Sequence, residues 1–109
     1  MSKYRLTDDV LNVDGGMKLY RIQNVDGYFG GFIEKESNLS QEGFCWVDED
    51  AWVYGNARVY GDAQVYENAQ VSGSAWICEN ARVYGDARVF EDAEAVSYTH
   101  LTLPTILLV

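Results

Sequence analysis

Ala51-Trp52-Val53-Tyr54-Gly55-Asn56 is followed by Ala57-Arg58-Val59-Tyr60-Gly61-Asp62, and the same six-residue phrase runs on without a slip to Ala93. Alanine recurs at Ala51, Ala57, Ala63, Ala69, Ala75, Ala81, Ala87 and Ala93. Two residues after each of the first seven stands a branched aliphatic: Val53, Val59, Val65, Val71, Ile77, Val83 and Val89. Val47, two after Cys45, extends the series upstream. A turn pair of Gly or Glu with Asn, Asp or Ser closes each phrase, from Gly55-Asn56 to Glu91-Asp92.

Within a phrase the period is two: alanine inward, the next residue outward, the aliphatic inward, the next outward. The turn pair then bends the chain by about a third of a circle, because Gly, and to a lesser degree Asn or Asp, accepts positive φ. Three phrases make a coil of eighteen residues. The spacing predicts coils at 45–62, 63–80 and from 81 onward, stacked about 4.8 Å apart as a parallel β-prism. A helix would scatter a six-residue period around its surface and be weakened by its glycines. The expected core is Val47, Val53, Val59, Val65, Val71, Ile77, Val83 and Val89 with Ala57, Ala63, Ala69, Ala75, Ala81 and Ala87. The eighteen-residue register also stacks Tyr66 under Tyr84 and sets Trp52 beside Tyr54.

Upstream, residues 4–7 and 17–23 alternate apolar and polar and read as strands, with Val13-Asp14-Gly15-Gly16 as the turn between them. Tyr28-Phe29-Gly30-Gly31-Phe32-Ile33 is apolar and glycine-rich. Residues 1–36 therefore read as a β-hairpin cap over the lower end of the stack, whose terminal rung otherwise exposes core and backbone. Residues 37–44 read as a degraded repeat, with Leu39 six before Cys45 and Gly43 as its turn glycine. The domains are thus 1–36, 37–95 and a tail, 96–109.

The chain has 109 residues and a net charge of −9, from 17 acidic and 8 basic residues. Residues 1–44 contribute −2 and Cys45 to Glu94 −7. Such a surface repels phosphate, which argues against nucleic acid and anionic membranes as partners. Cys45 takes an alanine position and is expected inward; Cys78 follows Ile77 and is expected outward, so no disulfide between them is expected. The N-terminus lacks the apolar run of a signal peptide, and the cytoplasm is the default location.

From Val96 the pattern fails. The tail holds the chain's single His and single Pro and three of its four Thr, with no charged side chain. Val96 to Thr105 resembles the translation of a transposase-type sequencing adapter, and Ile106 to Val109 fits its continuation. On this reading residues 96–109 are non-native, and the chain is an N-terminal fragment of a longer protein.

The hexads Val53–Arg58 and Val83–Arg88 resemble the hexapeptide-repeat superfamily, which implies an all-β fold, a left-handed parallel β-helix. Leu19-Tyr20-Arg21-Ile22, Gly30-Gly31-Phe32-Ile33-Glu34, Asn38-Leu39-Ser40 and Cys45-Trp46-Val47 are similar to members from gut bacteria and their phages often labelled acyltransferases. The resemblance implies association as a homotrimer, a place in a phage particle as the alternative location, and acetyl-CoA as the one cofactor to consider.

The residues themselves carry no catalytic set. The superfamily's acyltransferases use a histidine base, and residues 1–95 have none. Three-histidine zinc sites are absent for the same reason. Serine or cysteine nucleophiles would need an adjacent base. Outward aromatic residues at Trp46, Trp52, Tyr54, Tyr66 and Tyr84 are the candidate binding surface, for a glycan or a protein; stacking that stiffens the wall is the simpler reading. Tyr60, Trp76 and Phe90 also point outward. Asp48-Glu49-Asp50, with Glu67 one coil above Glu49, reads as solvated surface rather than a cation site. The leading expectation is a non-catalytic scaffold or binding surface. The alternatives are an acyltransferase whose active site lies C-terminal to this chain, and a glycan-binding or phage-surface module.

Overall fold

The computed structural model describes residues 3–13 and 15–90, and beyond them the backbone of three short strands, Glu94–Ala95, His100–Leu101 and Ile106–Leu108. The rest of the tail proposed as non-native lies outside the described residues.

The hexads form two-residue strands: β4 (Trp46–Val47), β5 (Trp52–Val53), β6 (Arg58–Val59), β7 (Gln64–Val65), β8 (Gln70–Val71), β9 (Trp76–Ile77) and β10 (Arg82–Val83), then β11 (Arg88–Phe90). They pair in parallel at the expected eighteen-residue offset. Trp46 lies against Gln64 and Gln64 against Arg82, on the first wall. Trp52 lies against Gln70 and Gln70 against Arg88, on the second. Arg58 lies against Trp76 on the third. The protein is thus an all-β solenoid with three walls. Every predicted core valine, isoleucine and alanine is fully buried, and so is Cys45. A buried valine contributes about 1.5–3 kcal/mol relative to an exposed one, and here the same contribution repeats at every rung. No helix among the described residues is long and apolar enough to cross a membrane.

Two local expectations are corrected at the corners. Among the described residues, positive φ falls on the first residue of each turn pair, never on the Asn, Asp or Ser that follows. At three corners that residue is glutamate: Glu49, Glu67 and Glu79 sit at φ 55, 60 and 57. The Glu67 and Glu79 carbonyls still accept the inter-rung bond, from Asp50 N–H at 3.2 Å and Asp62 N–H at 2.9 Å, so the stack imposes the same bend on Glu as on Gly.

The cap is built from β1 (Tyr4–Val13), β2 (Met17–Asn24) and β3 (Phe29–Ile33), successively antiparallel. Its third strand then pairs in parallel with β5, Ile33 opposite Val53. The hairpin is therefore a continuation of the second wall, and a boundary at residue 36 cuts through the first coil. At Gly30 and Gly31 the sheet passes tightly over the solenoid's end. A Cβ on Gly30 would fall 2.5 Å from Val47 O, and one on Gly31 2.7 Å from Ala51 O. This approach brings Tyr4 and Ile22 into the core beside Ile33, Leu39 and Val47.

The first coil is longer than the rest. Leu39 bridges Val59, and Ile33 pairs with Val53, offsets of twenty residues. Leu39 thus takes a valine position, not the alanine position its spacing from Cys45 suggests. By Gly43, stacked beneath Gly61, the offset is eighteen. The two extra residues lie in Ser40-Gln41-Glu42. They receive the start of β1: Gln41 Oε1 accepts from Lys3 N–H at 2.7 Å and Tyr4 N–H at 3.1 Å. Lys3 Nζ then donates to the carbonyls of Gly43 and Cys45, at 3.2 and 2.8 Å.

Candidate functional site

The outward aromatic residues divide among three walls. On the first, Tyr66 and Tyr84 stack with centroids 5.1 Å apart and rings 6° from parallel. Burial first, and then the neighbouring Tyr84 phenol, push the Tyr66 hydroxyl above its ordinary pKa. On the second, Trp52 meets Tyr54 edge-on at 6.5 Å. Trp46, at the foot of the first wall, packs against the core and meets the Tyr4 ring at 6.3 Å and 77°. Trp46 therefore helps join the cap to the solenoid. The five candidate aromatic residues make two separate pairs and a joint, not one continuous platform.

Cys78 is the other correction. Its backbone position faces outward, yet the side chain is buried. It stands one rung above Tyr60. Both cysteines are free thiols.

The acidic run is engaged with the cap. Arg21 is held by Asp9 at 3.0 Å, lies 4.0 Å from Asp50, donates to Gly30 O at 2.7 Å and covers the Phe32 ring at 4.3 Å. Among the described residues no cluster of three or more His, Cys, Asp or Glu could hold a metal ion.

The third wall carries a groove that the sequence reading did not single out. Ser37, Ser40, Arg58, Val59, Tyr60 and Trp76 line a cleft of about 310 Å³. Tyr60 and Trp76 are 37% and 45% exposed, the two exposed aromatic residues of the described hexads. The ladder brings Arg58 beside Trp76. The longer first coil brings Ser37 and Ser40 to the opposite rim, because Leu39 between them is pinned to Val59. The eighteen-residue register alone pairs Arg58 with Trp76, but the serines follow only from the twenty-residue offset.

Among curated proteins none matches the chain. Three stretches, residues 51–67, 63–79 and 81–93, match the YdcK beta-solenoid repeat. The matches fall on the hexads and leave the hairpin and the first coil outside. By pairing, burial and this similarity, the hexads are β-solenoid repeats.

Proposed function

We propose that the protein is a non-catalytic scaffold, a rigid solenoid whose walls present fixed side-chain ladders to a ligand or partner. The observation that carries this reading is the uninterrupted ladder. Each outward side chain is set by the rung below it, as in the Tyr66–Tyr84 stack, and rigid ladders present surface at little entropic cost. The hexapeptide-repeat likeness adds a left-handed coil to the proposal. The test is acyl transfer. The full chain, incubated with acetyl-CoA and amine or hydroxyl acceptors, is expected to release no CoA thiol above the protein-free rate. Release proportional to protein concentration would overturn the reading in favour of an acyltransferase.

A further inference from the structure

We propose that the groove on the third wall binds one or two residues of a neutral hexopyranose chain, with a sugar ring stacked on Trp76. The proposal rests on the reading of the walls as presenting surfaces. Its cleft of about 310 Å³ is at the lower end of small-ligand sites, roughly 300–1,000 Å³.

The lining is two-sided in chemistry. Trp76 and Tyr60 supply exposed aromatic surface on the solenoid wall. A pyranose presents axial C–H groups on one face and hydroxyls around its rim, and the flat, amphipathic indole suits the first. Arg58, Ser37 and Ser40 suit the second. Arg58 forms no ion pair among the described residues, and its guanidinium carries five donors. Ser40 Oγ accepts from Glu42 N–H at 3.0 Å, which leaves its own O–H to donate. A purely apolar ligand would leave these donors desolvated and unpaired. A polyanion would meet a chain of net charge −9, whose field opposes it. A neutral polyol satisfies both constraints. Because the groove lies along an open wall, an internal unit of a chain can enter it as readily as a terminal one.

The experiment titrates the full chain with maltotetraose, cellotetraose, chitotetraose and tetragalacturonate, each to about 10 mM, a range that captures millimolar affinity. Indole N–H resonances of the three tryptophans report the site, and calorimetry reports affinity. At least one neutral tetrasaccharide is expected to shift the Trp76 signal. Trp76→Ala is expected to weaken binding at least about tenfold and Arg58→Ala about three- to tenfold, whereas Trp76→Phe keeps most of it. Trp52→Ala, on another wall, is expected to bind like the native chain. No Trp76 shift with any neutral sugar would overturn the proposal. So would binding unchanged in Trp76→Ala with native circular dichroism, or a response to tetragalacturonate alone. Acyl transfer is a separate readout, so failure of the groove and failure of the non-catalytic reading are told apart.

Discussion

The seven-stranded sheet has an antiparallel end, β1 to β3, and a parallel end, β5, β8, β11 and the Ile106–Leu108 strand, and different contacts hold the two. At the parallel end each residue meets its counterpart eighteen positions away, valine on valine and corner on corner. At the antiparallel end Tyr4 and Ile22 join the core, and single polar contacts do the rest. Arg21 bridges Asp9 and Gly30, Gln41 takes the first amides of β1, and Lys3 threads into the loop carbonyls. A repeat can satisfy its backbone only with another repeat. Where the repeats begin, side chains must supply the missing partners.

Asn38 illustrates the substitution. In the first coil, backbone N–H groups bond carbonyls nineteen residues on, as Phe32 does to Ala51 and Ser40 to Val59. Asn38 N–H instead turns back to Lys35 O in a short 3-10 turn, Glu36–Asn38. Its side-chain Nδ2 then donates to Ala57 O at 2.9 Å and Gly55 O at 3.2 Å. Its Oδ1 accepts from Glu34 and Lys35 N–H. One buried amide replaces the missing inter-rung bonds.

The largest expected effect breaks the parallel end. Val65 is fully buried, with Val47 and Val83 as its ladder partners. Val65→Asp places an unpaired carboxylate in an apolar column and should cost more than about 4 kcal/mol, unfolding the middle coil. Gln64→Asp, one residue away and outward, loses only the bond to Phe44 O at 2.9 Å and should cost about 1 kcal/mol or less. Urea denaturation of the two variants checks this, and similar midpoints would refute the inward–outward assignment.

Next is the polar end. Asn38→Ala leaves two carbonyls and the Lys35 amide without their partner, while Glu34 N–H keeps its bond to Val53 O at 3.2 Å, and should cost about 3 kcal/mol. Amide exchange should accelerate first at Lys35 and the neighbouring corner, while Val71 and Val83 stay protected. Uniform acceleration along the chain would mean that the ends are not energetically distinct.

These cases show what could be read from residues alone. Where one contact repeats, it leaves a period in the sequence, so the buried columns and the Tyr66–Tyr84 stack were legible. The two-residue insertion after Leu39 occurs once and has no period to betray it. Asn38 sits in a stretch that reads only as a worn repeat, and its role depends on a 3-10 turn that spacing does not encode. Trp46 shares the outward position of Gln64 and Arg82, and the arrival of Tyr4 and Gly30 from the cap covers it. The groove beside Trp76 was half legible: its ladder pair follows the period, its serine rim follows the insertion.

A smaller effect separates the ends by pH. Burial, then the nearby Glu36 and Cys45, raise the Tyr4 phenol above its usual 10.0. Its hydroxyl donates toward the Glu36 and Leu39 carbonyls. The unfolded phenol therefore ionises first as pH rises. The stability that Tyr4 contributes is complete below about pH 10 and is lost as pH climbs from there toward the folded-state value. Tyr4→Phe should lose about 1 kcal/mol at pH 7, and its melting temperature should fall less steeply above pH 10. Parallel alkaline slopes for the two proteins would assign the loss to other tyrosines, such as Tyr66 on the first wall.

The smallest effect has the opposite sign and lies in the repeats. Glu67 holds φ 60 at a corner where Gly55, Gly61, Gly73 and Gly85 hold φ 68 to 69. A left-handed conformation costs a residue with a Cβ about 1–2 kcal/mol, and Gly gives back about 0.5–1 kcal/mol in unfolded-chain entropy. The register also sets Glu67 one rung above Glu49 at the same corner, where like charges oppose each other. Glu67→Gly should therefore stabilise the solenoid by about 0.5–1 kcal/mol. Glu67→Ala removes the same charge but keeps the Cβ, so its urea midpoint isolates the backbone contribution. If Ala stabilises as much as Gly, charge is the cause and the corner carries no conformational strain. If Gly alone stabilises, the stack holds its glutamates in a conformation that a single hexad would not choose.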